Sequence, residues 1–370
     1  MPDKPHPSIA PVADSAQAFG AAVGEIWKSF AGLSLPQAAL AQLQSDYLNE
    51  ATTLWNTALQ RLQSPGDAKP QALADRRFAA QEWAANPAAA HLAQVYLLNA
   101  RTLMRMAEAV EGDEKTRQRL RFAVQQWIDA VSPSNYLALN PEAQRKALET
   151  RGESIAQGVQ MLLRDLQQGH VSQTDTSVFE VGRNVATTEG AVVFENELIQ
   201  LIEYKPLTAQ VHERPMLFVP PCINKYYILD LQPDNSFIRY TVEQGHRTFV
   251  VSWRNPDETL AHKTWDDYIE QGPIAAIRTV QAITGAKKLD TLGFCVGGTI
   301  LSTALAVLAA RGEQPAASLT LLTTLLDFSN TGILDVFVDE ASVQLREMTL
   351  GEHAPGGPRL LHGKELATTF

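Results

Sequence analysis

Residues 287–312, KKLDTLGFCVGGTILSTALAVLAARG, contain the feature that most restricts how this chain can fold. The apolar run up to Leu292 predicts a short strand closed by Gly293, and the apolar residues after Gly298 predict a buried helix. Between them lies Gly-Phe-Cys-Val-Gly-Gly, a G-x-C-x-G sequence centred on Cys295. A cysteine in so tight a strand-to-helix turn is typical of a nucleophile elbow, which lifts the reactive side chain clear of the sheet.

The residues around Cys295 suit a nucleophile. Gly293 and Gly297 have no side chain, and we expect this to be required because the strand and the helix nearly touch there. The helix N-terminus carries a partial positive charge that favours a thiolate, and the backbone N–H of Val296 is expected to point to where an oxyanion forms. The alternative is a buried, inert structural cysteine, which the glycines on both sides disfavour. We therefore predict that Cys295 is the catalytic nucleophile.

Composition argues against several other classes of protein. The net charge of −10 and the pI of about 5.3 disfavour nonspecific binding to nucleic acid or to an anionic membrane. Two cysteines cannot form a disulfide framework, and the sequence does not open like a secretory signal, so we expect a cytoplasmic protein. No apolar helix reaches the roughly 20 residues of a membrane span. Without zinc-ligand spacing, a P-loop or a dinucleotide fingerprint, we expect no metal and no bound cofactor.

The first half of the sequence carries helical patterns. Residues 1–14 lack periodicity and are expected to be disordered. We predict an all-helical N-terminal domain over residues 15–172, with an apolar stripe on a helix that begins near Pro36. Within it, we interpret Phe78 and Trp83 as a corner that docks onto the next domain.

Residues 173–340 have the pattern of a mostly parallel sheet. A segment rich in Val, Ile and Phe comes first, with a turn between strands predicted at Glu189-Gly190. Four nearly continuous apolar runs follow and alternate with helical stretches, which is typical of parallel strands buried on both faces. The runs are RPMLFVPP, HRTFVVSWRNP, KKLDTLGFC and SLTLLTTLLDF. We predict an α/β fold of the α/β-hydrolase type, with an incomplete sheet and a cap region that starts in residues 341–370.

The loops at the carboxyl ends of these strands contain the other candidate site residues, because ligands bind at that edge of such sheets. The loop PPCINKYYILD follows the first run, where this fold obtains its second oxyanion donor. The N–H of Cys222 or of Ile223 is therefore the candidate for this donor, and we favour Ile223. Cys222, Asp230 and Trp253 are candidates for the pocket wall or for support of the loop.

A cysteine nucleophile needs a general base, usually a histidine that a carboxylate orients. In this fold the acid and then the histidine follow the nucleophile along the chain. The two histidines after Cys295 lie in EHAPGGPRLLHGKEL, a Gly/Pro-rich stretch with no strand to present them. His212 and His246 precede strands and are expected at the opposite edge of the sheet. We therefore expect this sequence to be truncated, with the catalytic Asp and His beyond Phe370.

Several stretches closely resemble class I polyhydroxyalkanoate synthases. They are VGRNVATTEGAVVFENELIQLIEYKP, PPCINKYYILDLQP, VSWRNPD, TWDDYIE, LGFCVGGTILSTALAVLAARG and TLLTTLLDFSNTGILDVFVDE. The resemblance implies an α/β-hydrolase catalytic domain that polymerises (R)-3-hydroxyacyl-CoA into a growing polyester and releases CoA, with Cys295 in the position of the family nucleophile. It also implies a homodimer, granule-associated partner proteins and attachment to the polyester granule surface.

The chemistry of a thiol favours polymerisation over hydrolysis. Acyl transfer from a CoA thioester to a cysteine makes another thioester nearly without change in free energy, so the acyl group stays activated for attack by a hydroxyl. A serine would form an oxyester and lose that activation. Two alternatives stay open. One is a Cys-dependent hydrolase, such as a thioesterase or a dienelactone-hydrolase-like protein, and the other is an inactive fragment that serves as a granule-binding or dimerising module.

Overall fold

The computed structural model describes residues 32–63, 73–338 and 340–361. The described residues form two compact units. The helical unit is the described part of residues 1–171 and 332–341, and the sheet unit is the described part of residues 172–331 and 342–370. Residues 332–341, which follow the sheet along the chain, thus group with the helices. The disorder expected for residues 1–14 lies outside the described residues.

The helical unit consists of helices of very different length. The helices are α1 (Gln37–Gln63), α2 (Gln81–Ala85), α3 (Pro87–Ala109), α4 (Glu114–Ala130), α5 (Pro141–Glu149) and α6 (Glu153–Gln168). The 3-10 turns of this unit are Arg76–Phe78, Pro133–Asn135 and Gly332–Phe337. Helix α1 follows Pro36 directly, as predicted. The Asn86 side chain caps α3 by accepting the N–H groups of Ala88 and Ala89, which explains why that helix begins there.

An aromatic cluster forms the core of the helical unit. Phe78 and Trp83 are 1% and 0% exposed, and their rings meet edge to face with centroids 4.8 Å apart. Tyr96 packs against Phe78 and donates a 2.7 Å hydrogen bond to the Ile128 carbonyl. The interpretation of Phe78 and Trp83 as a docking corner is wrong, because both side chains are fully buried within their own unit.

The sheet unit is built on a six-stranded, mostly parallel sheet. Its strands are β1 (Gly190–Glu195), β2 (Ile199–Tyr204), β3 (Met216–Val219), β6 (Thr248–Trp253), β7 (Leu289–Phe294) and β8 (Ala316–Leu322), in the order β1-β2-β6-β3-β7-β8. A separate small hairpin pairs β4 (Asp230–Gln232) with β5 (Asn235–Ser236). Strands β6, β3, β7 and β8 are parallel, and β1 and β2 are antiparallel. The predicted fold class is confirmed, and the four apolar runs are the four parallel strands.

Helices alternate with these strands along the chain. They are α7 (Phe237–Glu243), α8 (Trp265–Ile269), α9 (Ala275–Thr284) and α10 (Val296–Ala310). The sheet unit also contains 3-10 turns at Thr176–Val178, Tyr226–Leu229 and Glu258–Leu260 and a π-helical segment at Glu270–Ile274. The last helix of the described residues, α11 (Glu340–Leu350), lies in the stretch predicted to begin the cap. The main core contains apolar residues of β2, β3, β6, α9 and α10, all nearly or fully buried.

The turn between β1 and β2 lies at a different place from the one predicted. Strand β1 begins at Gly190, so Glu189-Gly190 is the entrance to this strand, and the prediction of a turn between strands there is wrong. The actual turn is closed by Asn196, whose side chain accepts the N–H groups of Leu198 and Ile199 at 2.9 Å each. A local side-chain acceptor therefore sets the register of this hairpin.

The parallel strands end together at one edge of the sheet. Val219 in β3 stands opposite Gly293 in β7, and Phe294 stands opposite Leu322 in β8. The loops after these strands therefore leave the sheet beside one another, which brings Cys295 close to the loop that follows Val219.

Candidate active site

Cys295 occupies the sharp turn between β7 and α10. Its backbone has φ 53° and ψ −131°, a conformation that residues with a side chain rarely adopt. Its N–H donates to the Leu322 carbonyl at 2.9 Å, and its own carbonyl accepts the Gly298 N–H at 2.9 Å. Both backbone groups thus fix the turn, while the side chain is only half-buried. This geometry raises the thiol to the carboxyl edge of the sheet.

Three glycines let the elbow form through three different contacts. Gly293 faces Gly298, which brings β7 and α10 together as expected. Gly298 also lies against Thr324, and a Cβ on Gly298 would be 2.8 Å from the Thr324 methyl carbon. Gly297 differs from the prediction, because a Cβ there would overlap the carbonyl oxygen of Val219. Gly297 therefore admits the end of the neighbouring strand β3, not the strand that carries the cysteine.

The two predicted oxyanion donors lie on elements that meet at this edge. Val296 is the first residue of α10, so its N–H has no acceptor within the helix. Ile223 lies in the turn that follows Pro221, where the Asn224 N–H donates to the Pro221 carbonyl at 3.1 Å. Because β3 and β7 are neighbours in the sheet, this turn begins next to the elbow. The Ile223 side chain itself is exposed.

Cys222 places a second thiol near Cys295. Its side chain is half-buried and packs against the main core of the sheet unit. Burial raises the pKa of the Cys222 thiol, a hydrogen bond from its own backbone N–H opposes this, and the nearby Cys295 adds to the increase. A thiol that stays protonated at neutral pH suits a pocket wall.

Asp230 lies fully buried at the other end of the same loop. Its carboxylate accepts hydrogen bonds from the Ser236 hydroxyl at 2.6 Å, from the Thr188 hydroxyl at 2.7 Å and from the Thr188 N–H at 3.3 Å. Its backbone carbonyl accepts the Ala186 N–H at 2.9 Å. These four bonds connect the end of the loop to two other segments of the sheet unit.

Trp253 lies at the end of β6 and reaches the start of the loop. Its indole N–H donates a 2.8 Å hydrogen bond to the Pro220 carbonyl, and its ring stacks on Tyr268 with centroids 5.5 Å apart. The sequence reasoning missed Tyr268 and also Gly272, which faces the Trp253 ring. The signal that could have found them is the Gly-Pro pair at Gly272 and Pro273, which interrupts an otherwise helical stretch.

His212 and His246 lie away from Cys295, at the other edge of the sheet. His212 and His246 lie together at the amino ends of the strands, as expected, with ring centroids 4.8 Å apart. They line a cavity of about 570 Å³ with Met216, the first residue of β3. His353 is exposed in a turn after α11, and His362 lies outside the described residues.

Two kinds of feature are absent from the part of the chain that the structure describes. No three His, Cys, Asp or Glu side chains lie close enough together to hold a metal ion. No helix is both long enough and apolar enough to cross a membrane.

Two family models match the sequence and overlap in its middle. Residues 74–241 match the family described as the N-terminus of poly-beta-hydroxybutyrate polymerase (PhaC). Residues 216–370 match the alpha/beta hydrolase fold. Cys295 therefore lies in the part that matches the hydrolase fold, and the loop with Cys222 and Ile223 lies in the overlap.

The chain is similar to curated proteins named poly(3-hydroxyalkanoate) polymerase. It is 59% identical to the subunit PhaC of Cupriavidus necator over 92% of this chain and 57% of that protein. It is 41% identical to the protein of Methylorubrum extorquens over 94% and 57%, and 37% identical to the subunit PhaC of Rhizobium meliloti over 97% and 58%. The chain thus spans less than three fifths of the length of these relatives. On this sequence similarity, the chain belongs to the poly(3-hydroxyalkanoate) polymerase family.

Proposed function

We propose that this chain carries the nucleophile of an acyltransferase that polymerises (R)-3-hydroxyacyl-CoA into polyhydroxyalkanoate and releases CoA. The observation that carries the proposal is a thiol on a strained strand-to-helix turn, at the position where an α/β-hydrolase holds its nucleophile. Relatives named poly(3-hydroxyalkanoate) polymerase support the substrate class.

The first step of the proposed cycle is acylation of Cys295. Its sulfur attacks the carbonyl carbon of the acyl-CoA, a new C–S bond forms, and the bond to the CoA sulfur breaks. The N–H groups of Val296 and Ile223 stabilise the oxyanion that forms in between. The proton lost by the Cys295 thiol passes through a base to the departing CoA. In this fold that base is a histidine that follows the nucleophile along the chain.

The second step is attack by the 3-hydroxyl group of another acyl unit on the Cys295 thioester. An oxyester bond forms, the thioester bond breaks, and the hydroxyl proton passes through the base to the Cys295 sulfur. Because the enzyme-bound group is still a thioester, each ester bond forms from an activated acyl group. The cycle needs no cofactor beyond the CoA thioester itself.

We also propose that the protein forms a homodimer and works in the cytoplasm at the surface of the polyester granule, together with granule-associated proteins. Helix α6 supports the proposal that the protein contacts an apolar surface, because none of the side chains of this helix is buried. Val159, Leu162 and Leu166 are 51%, 58% and 69% exposed on it. Exposed apolar stripes of this kind mark interaction surfaces.

The test is to supply (R)-3-hydroxybutyryl-CoA and to follow both CoA release and the fate of the acyl group. Because the chain spans 57% of the Cupriavidus necator relative, the assay is run on this chain and on a fusion of it with the part of that relative that lies outside the match. The proposal expects insoluble polyester, an acyl adduct on Cys295 and no activity in a Cys295→Ala variant. Soluble 3-hydroxybutyrate as the product would identify a hydrolase instead, and activity without Cys295 would refute the assigned nucleophile.

A further inference from the structure

The carbonyl group of Pro220 is held from two sides where the loop leaves β3. On one side it accepts the indole N–H of Trp253 at 2.8 Å. On the other side lies Gly297 in the first turn of α10, where a Cβ would be 2.5 Å from the same carbonyl oxygen. One peptide group therefore lies between the indole ring and the helix that starts at the nucleophile.

This carbonyl matters because the start of the loop has few backbone groups that can form hydrogen bonds. Pro220 and Pro221 have no N–H group, so their carbonyls are the only backbone groups there that can form hydrogen bonds. The Pro221 carbonyl accepts the Asn224 N–H and closes the turn that contains Ile223. The Pro220 carbonyl thus adds a hydrogen bond from the start of this turn to Trp253 of β6, beside the packing of Cys222 against the main core.

The depth of the Trp253 ring is set in turn by a break in the helical stretch after β6. The π-helical segment Glu270–Ile274 separates α8 from α9, and within it Gly272 has the non-helical angles φ −89° and ψ −107°. A Cβ on Gly272 would lie 2.5 Å from Cη2 and 2.9 Å from Cζ3 of Trp253. The ring fills the space that this glycine leaves, and Tyr268 stacks against it.

We propose that Trp253 and Gly272 are positioning residues for the oxyanion hole. The indole N–H fixes the Pro220 carbonyl, and with it the turn of Cys222 and Ile223, relative to the Val296 N–H on α10. Gly272 acts through Trp253 by letting the ring reach that carbonyl. An oxyanion donor works only within about 2.7–3.1 Å of the developing charge, so a small shift of the turn slows acyl transfer. The inference rests on the proposed function, because it presumes that Cys295 accepts an acyl group.

The experiment compares two reactions of the same sulfur, at pH about 9, where cysteine thiols ionise without a base. Alkylation of Cys295 by iodoacetamide develops no oxyanion, whereas acylation by (R)-3-hydroxybutyryl-CoA does. Both rates are followed by mass spectrometry of the Cys295 peptide. Trp253→Phe keeps an aromatic ring but removes the donor, and Gly272→Ala pushes the ring away. Trp265→Phe is the matched control, since Trp265 lies in the neighbouring α8 and is 46% exposed.

We expect Trp253→Phe and Gly272→Ala to slow acylation about 10- to 100-fold and to leave alkylation unchanged. The control variant is expected to keep both wild-type rates. The double variant Trp253→Phe/Gly272→Ala is expected to be acylated only slightly more slowly than Trp253→Phe, because both changes break the same hydrogen bond between the indole and the Pro220 carbonyl. Unchanged acylation in Trp253→Phe, or an equal loss of both reactions, would overturn the inference alone. A wild-type chain that is alkylated but never acylated would overturn the proposed function as well.

Discussion

Gly293 in β7 and Gly298 in α10 are so close that a Cβ on Gly293 would overlap the Cα of Gly298 and lie 2.9 Å from its amide nitrogen. The neighbouring atoms belong to the backbone, so they cannot rotate away as a side chain could. The close packing of the strand and the helix that flank Cys295 therefore requires glycine at both positions.

The first prediction concerns this contact. Gly293→Ala is expected to lower the free energy of unfolding of the sheet unit by about 3 kcal/mol or more, because the added methyl group forces β7 and α10 apart. Urea unfolding followed by tryptophan fluorescence measures the change. The matched control is Gly158→Ala in α6, where a Cβ meets nothing within 4 Å and the helix is expected to gain up to about 1 kcal/mol. Wild-type stability in Gly293→Ala would contradict the close approach.

A second prediction follows from the backbone angles of Cys295. Glycine adopts φ 53° with less strain than a residue with a Cβ, so Cys295→Gly is expected to be about 1 kcal/mol more stable than Cys295→Ala. Neither variant can form an acyl adduct at this position. Denaturant unfolding of the two variants side by side provides the test. A glycine variant no more stable than the alanine variant would show that the elbow stores no strain at this residue.

The third prediction concerns the reactivity of Cys222. Burial raises the pKa of the Cys222 thiol. The pH at which its rate of alkylation by iodoacetamide reaches half of the maximum is therefore expected to lie above the value of about 8.5 for an ordinary cysteine. Cys295→Ala is expected to lower this midpoint, since Cys295 contributes to the raised pKa. Mass spectrometry of the Cys222 peptide over a pH series gives both values. An unchanged midpoint in Cys295→Ala would mean that the two thiols do not interact.

The same raised pKa predicts how stability depends on pH. The folded state holds the Cys222 proton more tightly than the unfolded state, so this contribution is complete below the unfolded pKa and is lost as the pH rises through the folded pKa. Above about pH 8.5, the free energy of unfolding is therefore expected to fall more steeply for the wild-type chain than for Cys222→Ala. Parallel pH profiles for the two chains would refute this.

The fifth prediction tests the anchor at the far end of the loop. Asp230→Ala removes the acceptor of two hydroxyl groups and one N–H, and is expected to cost about 3 kcal/mol in the free energy of unfolding. Asp230→Asn keeps one acceptor oxygen and is expected to cost less. Asp234→Asn is the control, because Asp234 is exposed in the turn of the same hairpin. If Asp234→Asn lowered the free energy of unfolding as much as Asp230→Ala, the effect would not be specific to the buried carboxylate.

Local patterns predicted much of the sheet unit. The runs that became β3, β6, β7 and β8 could be read from the sequence because parallel strands buried on both faces are continuously apolar. The turn at Cys295 could be read because its glycines stand within a few residues of the cysteine. The hairpin turn before β2 was misplaced, because the Asn196 side chain closes it and Glu189-Gly190 lies outside it.

Contacts between distant residues could not be predicted in the same way. Gly297 was correctly expected to need its small size, but its neighbour is Val219 on another strand. The Trp253 hydrogen bond to Pro220 crosses 33 residues of sequence, and nothing in either segment identifies the other. The burial of Phe78 and Trp83 within their own unit likewise depends on how the helices pack.

The sequence by itself determined the types of the elements and the position of the thiol, because apolar periodicity and closely spaced glycines act over a few residues. Only the tertiary structure decided which backbone groups surround that thiol. The pairing of strands and the packing of α10 against β3 bring together residues far apart in the chain, and their partners depend on the whole sheet.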